Sequence, residues 1–136
     1  MLIVNHPESP EEFEEYYDLR WRVLREPWSQ PRGSEKDEFD PIADHVTVRD
    51  EDGKLIGIGR LHLNNDREAQ IRYMATEEDA RGCGAGRVII ERLETIARER
   101  DVHRITLNAR EHQRTCSWLL RASGLSCDWR GPHHVS

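Results

Sequence analysis

Three glycines fall within five positions, Gly82, Gly84 and Gly86, with Arg81 before them and Arg87 after. Glycine lets the backbone turn tightly and come close to a ligand because no Cβ intervenes. The segment that follows reads as a helix: Ile89, Leu93, Ile96 and Ala97 recur at steps of four, three and one, which places them on one face. Glycines feeding a helix start expose unpaired N–H groups at the positive end of the helix dipole, an anion site suited to phosphate. Arg81 and Arg87 add fixed positive charge. The spacing is not that of the P-loop, since no Lys-Ser or Lys-Thr follows the glycines. It is not the dinucleotide fingerprint either, since the third glycine comes one residue early and Arg87 takes its place. The stretch before the loop reads as a strand with two different faces, Ile71, Tyr73 and Ala75 alternating with Gln70, Arg72 and Met74.

Arg81-Gly82-Cys83-Gly84-Ala85-Gly86 fits the pattern Arg/Gln-x-x-Gly-x-Gly/Ala. With a strand before it, through Arg72-Tyr-Met-Ala-Thr, and an amphipathic helix after it, the segment resembles the acyl-CoA-binding signature of the GNAT acetyltransferase superfamily. The resemblance extends less sharply, through the order of elements, over residues 1 to about 124. It implies that Met74, Ala75 and Thr76 pair with the pantetheine arm as with a pseudo-strand. It implies that the amides from Arg81 through Gly82, Cys83, Gly84, Ala85 and Gly86 to Arg87 hold the pyrophosphate, and that the thioester reaches a split in the sheet near Asn108. The implied co-substrate is acetyl-CoA and the implied reaction is direct attack by a neutral amine of a small molecule, amino acid or peptide, with no metal.

An amine is mostly protonated at neutral pH, so a proton must be removed, directly or through water. The candidates are Glu68 and His62, on what read as adjacent strands. In relatives a carboxylate can stand where this chain has Gln70. Arg60, Gln70 and Arg72 with His62 are expected to line one pocket, and two arginines there favour an acceptor bearing a carboxylate. The irregular segment from Pro27 to Pro41 holds Trp28 and the acidic set Glu35, Asp37, Glu38 and Asp40. It reads either as a solvated charged loop or as a recruiter of a cationic amine, with Trp28 offering an aromatic face. The two substrate inferences meet only in an acceptor with both an amine and an acid. Many relatives protonate the leaving thiolate with a tyrosine four residues before a closing glycine; counting back from Gly124 gives Leu120, which cannot. A non-catalytic acyl-CoA-binding or regulatory module is therefore the alternative to an enzyme.

The elements that must position these groups follow in chain order. Met1 to His6 reads as a strand. Ser9-Pro10-Glu11-Glu12 is a helix start with a capping box, and Phe13, Tyr16, Tyr17, Arg20 and Leu24 mark one side of the helix as core. Asp44–Arg49, Lys54–Leu63 and Glu68–Thr76 read as three antiparallel strands, with turns at Asp50–Gly53 and Asn64–Arg67. Gly57 and Gly59 signal a close backbone approach or a bend. Val102–Asn108 should lie parallel to the Glu68–Thr76 strand through a right-handed crossover. Glu111–Ser123 reads as a second core helix carrying Cys116, Leu119 and Leu120. The expected fold is α+β: one domain, residues 1–136, a mixed and mostly antiparallel sheet with a splayed parallel central pair and helices on both faces. The C-terminus reads as shortened, leaving a sheet edge either exposed or paired with a second copy as a homodimer.

Composition narrows the partners. The 136 residues carry a net charge of −6, with 34% charged residues, which disfavours nucleic acid. No apolar run approaches the roughly 18 residues of a membrane helix. Cys83, Cys116 and Cys127 form no C-x-x-C pair, so neither a disulfide framework nor a zinc site is expected, and a reducing cytoplasm is the simplest home.

Overall fold

A computed structural model describes residues 1–109 and 114–119. Six strands form one sheet in sequence order: β1 (Ile3–Asn5), β2 (Asp44–Arg49), β3 (Leu55–Leu63), β4 (Glu68–Thr76), β5 (Arg104–Ala109) and β6 (Arg114–Leu119). All neighbours are antiparallel except β4 and β5, which are parallel. Helix α1 (Pro10–Leu24) joins β1 to β2, and α2 (Ala85–Glu99) makes the crossover from β4 to β5.

The helices begin where the sequence says they should. Ser9 caps α1: its hydroxyl accepts from the Glu12 N–H while the Glu12 carboxylate accepts from the Ser9 N–H. The Glu8 N–H, first, and the Ser9 N–H, both donating to the Glu12 carboxylate, hold its pKa below the ordinary value. α2 begins two residues before Arg87, with Gly84 as N-cap at φ 92°.

The two helices cover opposite faces of the sheet with separate cores. Ile89, Leu93 and Ala97 of α2 pack on Val46, Val48, Ile56, Leu61, Ile71 and Ile105. Tyr16 and Leu19 of α1 pack on Ile58 and Ala75. Gly57 and Gly59 allow α2 to lie close on β3: a Cβ at Gly59 would stand 2.4 Å from Ile89 Cγ2, and one at Gly57 3.1 Å from Ile89 Cδ1.

One element differs from expectation. Within the stretch expected as a helix over Glu111–Ser123, the described residues Arg114–Leu119 form β6, with Cys116 opposite Leu107 and Thr115 opposite Asn108. Leu119 and Cys116 share a helical face only if the segment winds; here the free edge of β5 supplies main-chain partners, and those pairings override the local i, i+3 pattern. Leu120, Gly124 and Cys127 lie outside the described residues.

Candidate active site

The site starts at a gap in the sheet. β4 and β5 are paired from Glu68 opposite Arg104 to Ile71 opposite Leu107 and no further. β4 continues to Thr76 and stays paired with β3, while β5 turns to β6. Residues 72–76, including Met74, Ala75 and Thr76, therefore present an edge with no strand on it among the described residues. Asn108 is the first residue of β5 beyond the last pair.

A bulge sits at the mouth of this gap. Ile58 faces Ala75 and Arg60 faces Arg72, so Gly59 alone opposes Tyr73 and Met74. Tyr73 adopts φ 58°, uncommon for a non-glycine residue, and the extra residue leaves the regular ladder. Strain of this kind concentrates at functional sites.

The glycine loop follows β4 in the chain and leads into α2. The N–H groups of Gly82, Gly84, Ala85, Gly86 and Arg87 have no main-chain acceptor among the described residues, whereas Arg81 donates to Glu78 O and Cys83 to Ala80 O. Gly82 and Gly84 take φ of 87° and 92°, and a Cβ at either would meet nothing within 4 Å. Five amides at or just before the start of a fifteen-residue helix are thus left without a main-chain acceptor among the described residues, donors of the kind an anion with several oxygens uses.

On the α1 face the polar residues form a buried network. Arg20 and Arg60 are both fully buried. Arg20 Nη1 donates to Asp40 Oδ1 at 3.0 Å and to the Glu35 carbonyl at 2.9 Å. Arg60 Nη1 donates to Asp37 and, at 3.0 Å, to the same Asp40 oxygen, and Arg72 approaches Asp37 at 3.5 Å. Burial alone would raise the Asp37 pKa, but the Arg60 hydrogen bond and charge, the Phe39 N–H and Arg72 outweigh it, so the carboxyl lies below its ordinary value. Burial lowers the Arg60 pKa and the two aspartates more than reverse that. Asp37 and Asp40 are thus committed to arginines, and Glu35 is buried with its carboxylate on the Gly33 N–H. The acidic segment is neither a solvated loop nor a free cation trap at these three residues. It neutralises cations that the sequence places under it.

The expected site residues divide accordingly. Arg60, His62, Gln70 and Arg72 do come together, since Arg60 faces Arg72 and His62 faces Gln70 across the β3/β4 ladder. His62 is buried and stacks on Phe39 at 4.5 Å. Its Nδ1 accepts from Arg60 Nη2 at 2.9 Å; a guanidinium only donates, so the neutral ring carries its proton on Nε2 and has no free lone pair. Burial first, and the Arg60 charge second, push its pKa down. Glu68 lies in the zipped part of β4, three residues and roughly 10 Å before the gap at ~3.3 Å per residue, and accepts from Asn64 Nδ2 at 3.3 Å. Trp28 sits on a short 3-10 turn, Glu26–Trp28, and is largely exposed. Asn108 is positioned by β5.

Other residues were not anticipated. The Tyr73 ring is surrounded by guanidinium carbons of Arg20 at 4.4 Å, Arg60 at 4.8 Å, Arg72 at 4.9 Å and Arg25 at 5.8 Å. Tyr16 and His45 complete the network: His45 Nε2 lies 2.9 Å from the Asp40 carbonyl, so it carries the proton, and Nδ1 faces the Tyr16 hydroxyl at 2.7 Å as acceptor. Burial lowers the His45 pKa and raises that of Tyr16. Arg20 one turn after Tyr16 on a core-facing stripe was the available signal, because a buried guanidinium demands carboxylate partners. Asp37 and Asp40 also wall a hollow of about 400 Å³ with Phe13, Tyr17, Lys36 and His45.

A parallel strand pair thus opens beyond Ile71, and the strand that runs on leads through a glycine loop to a helix start with unpaired amides. The sequence matches the Acetyltransferase (GNAT) family over residues 13–119, and the chain belongs to that family. Solved structures share the fold. An acyl-CoA N-acyltransferase from Pseudomonas aeruginosa is similar at 23% identity and a TM-score of 0.67, over 82% of this chain and 80% of that one. A putative N-acetyltransferase from Lactobacillus plantarum is similar at 21% identity and 0.68, over 79% and 75%. An aminoglycoside 6'-N-acetyltransferase complexed with coenzyme A is similar at 17% and 0.64, over 77% and 60%. No described helix is long and apolar enough to cross a membrane, and the described residues contain no group of three metal-ligating side chains.

Proposed function

We propose that this protein is an acetyl-CoA-dependent N-acetyltransferase acting on a primary amine of a small molecule, amino acid or peptide. The observation that carries the reading is the coincidence of five acceptor-less amides at the start of α2 with a β4 edge left bare beyond Ile71. The pyrophosphate of coenzyme A suits the amides, and the two amides of pantetheine suit the bare edge at Met74, Ala75 and Thr76. The fold-level neighbour complexed with coenzyme A supports the same co-substrate.

The thioester end then lies by the bulge and Asn108. The lone pair of a neutral amine attacks the thioester carbonyl and forms the C–N bond. The carbonyl oxygen takes the charge, and a peptide N–H released from the ladder at Tyr73–Met74 is placed to stabilise it. The C–S bond breaks as the carbonyl re-forms, coenzyme A leaves as thiolate, and the amine proton passes to solvent or to a base. Glu68 serves as that base through water, since the only lone pair of neutral His62 is held by Arg60; Gln70 and Arg72 continue the same strand face from Glu68 toward the gap. Glu68→Gln should lower kcat about tenfold or more at neutral pH and recover part of the loss at alkaline pH, where more of the amine arrives neutral.

The test is thiol release from acetyl-CoA with a panel of amines, together with calorimetry against coenzyme A, ATP and NAD. Turnover with selective coenzyme A binding supports the assignment. Binding without turnover on any amine would make the chain an acyl-CoA-binding module, and selective binding of ATP or NAD would overturn both.

A further inference from the structure

Four guanidiniums and one phenol meet where the sheet opens. Arg20, Arg25, Arg60 and Arg72 surround Tyr73, and Tyr73 is held with positive φ by the bulge two residues past the last β4/β5 pair. Among the described residues only two carboxylates, Asp37 and Asp40, are salt-bridged to any of the four. Those two neutralise Arg20 and Arg60, which lie deepest. Arg72 keeps only a 3.5 Å approach to Asp37 and is 41% exposed. Arg25, at the C-cap of α1, forms no ion pair among the described residues, and its Nε is buried without a partner. The Nε atoms of Arg20 and Arg60 are likewise buried and unbonded. A protein interior leaves few such donors unanswered, and a net surplus of two guanidiniums over a strained residue is a site prepared for an anion.

We propose that the acceptor carries a carboxylate near its amine, as an amino acid or peptide C-terminus does, and that Arg25 and Arg72 about Tyr73 hold that carboxylate at the mouth of the β4/β5 gap. The inference rests on the N-acetyltransferase reading and narrows its substrate class. A planar carboxylate takes two parallel N–H donors from a guanidinium fork, and Arg72 and Arg25 keep donors free for it. Holding the acid at Tyr73 sets the adjacent amine toward the thioester end, which lies on the same strand edge one to three residues on. The arrangement also disfavours amines with no acid, because they bring a second cation into a positive field without a compensating anion. A phosphate-bearing amine would use the same donors.

The experiment pairs each acceptor with its counterpart lacking the acid: an amino acid with its α-amide and with the decarboxylated amine, and an aminoalkyl phosphate for comparison. kcat/KM is measured with acetyl-CoA, and binding to the coenzyme A-loaded protein is measured by calorimetry without turnover. Carboxylate-bearing amines should exceed their neutral counterparts by about 10- to 100-fold, the size expected for charge-assisted hydrogen bonds. Arg25→Gln and Arg72→Gln should each cut that preference about tenfold, while Arg25→Lys retains part of it. Melting curves for each variant confirm folding, and the wild-type comparison stands without any variant. Equal binding and turnover for acids and amides overturns the proposal while leaving the transferase reading intact. Preference for the phosphate over the carboxylate also overturns it. Absence of turnover on every amine sinks the transferase reading, and the calorimetric comparison then still decides whether the anion site exists.

Discussion

At the scale of single residues, Gly84 separates backbone strain from ligand binding. A Cβ there meets nothing, so Gly84→Ala costs only the positive-φ penalty, about 1–2 kcal/mol. Gly53, with φ 86° and equally open surroundings, sits in the β2/β3 turn. Gly53→Ala should lose similar stability and leave coenzyme A affinity alone, whereas Gly84→Ala should weaken it about tenfold, equivalent to ~1.4 kcal/mol. Calorimetry on both variants checks this, and equal affinities would remove the loop from the binding site. Asp40 poses the opposite case. It bridges Arg20 and Arg60, both fully buried, so Asp40→Ala strands two charges and should destabilise by about 3–5 kcal/mol. Asp18 pairs with Arg22 and Arg32 near the surface, and Asp18→Ala should cost under about 1 kcal/mol. Urea unfolding of the pair reads the difference.

At the scale of elements, the seat of α2 on β3 depends on two missing side chains. Gly59→Ala would put a methyl 2.4 Å from Ile89 Cγ2, and that methyl belongs to a β-branched residue with little rotamer freedom. The helix must shift, at about 1–3 kcal/mol. Gly57→Ala, with its nearest atom at 3.1 Å, should cost less. Thermal melts would order the variants, and the reverse order would contradict the packing. Because α2 carries the anion cradle at its N-terminus, Gly59→Ala should also weaken coenzyme A binding more than its stability loss at the sheet alone requires. The sheet edge is the other element-level device. β4 is zipped to β5 for four residues and, among the described residues, unpaired on that side for the next five, so the proposed pantetheine arm would meet the free end of the strand and not the zipped one.

At the scale of the whole molecule, the buried network makes stability depend on pH. His45 and His62 have folded pKa values below the ordinary 6.5, chiefly through burial. Their neutral forms are preferred in the fold, so their contribution is complete above 6.5 and is lost as pH falls through the folded values. In that window the unfolded chain binds protons the native one does not, and stability falls with pH by up to ~1.4 kcal/mol per unit for each histidine. Asp37 is also lowered, and its contribution goes at more acid pH, below about 3.8. Denaturation midpoints between pH 5 and 8 should therefore drop on the acid side, and the His45→Gln, His62→Gln double variant should flatten that slope. A flat wild-type profile would mean both imidazoles are solvated. The sheet also has two outer strands among the described residues, β1 and β6. If a second copy pairs at β6, gel filtration should show a concentration-dependent dimer.

The cap at Ser9, the strand order up to β5, the parallel crossover and the glycine turn that opens α2 were all legible in the sequence, because each is set by local rules: a capping box, a period of two or 3.6, glycines before a helix. β6 was not legible, because Arg114–Leu119 has a helical spacing whose outcome depends on a strand edge contributed by β5. Nor was the fate of Asp37 and Asp40, whose partners lie twenty to thirty-five positions away and meet them only when α1, β3 and β4 pack. The chain alone determined that a glycine turn with unpaired amides stands at the start of α2. Only the tertiary structure decided that the acidic segment folds inward to neutralise Arg20 and Arg60, leaving Arg25 and Arg72 around Tyr73 in surplus, since charge pairing between distant segments is fixed by packing and not by sequence spacing.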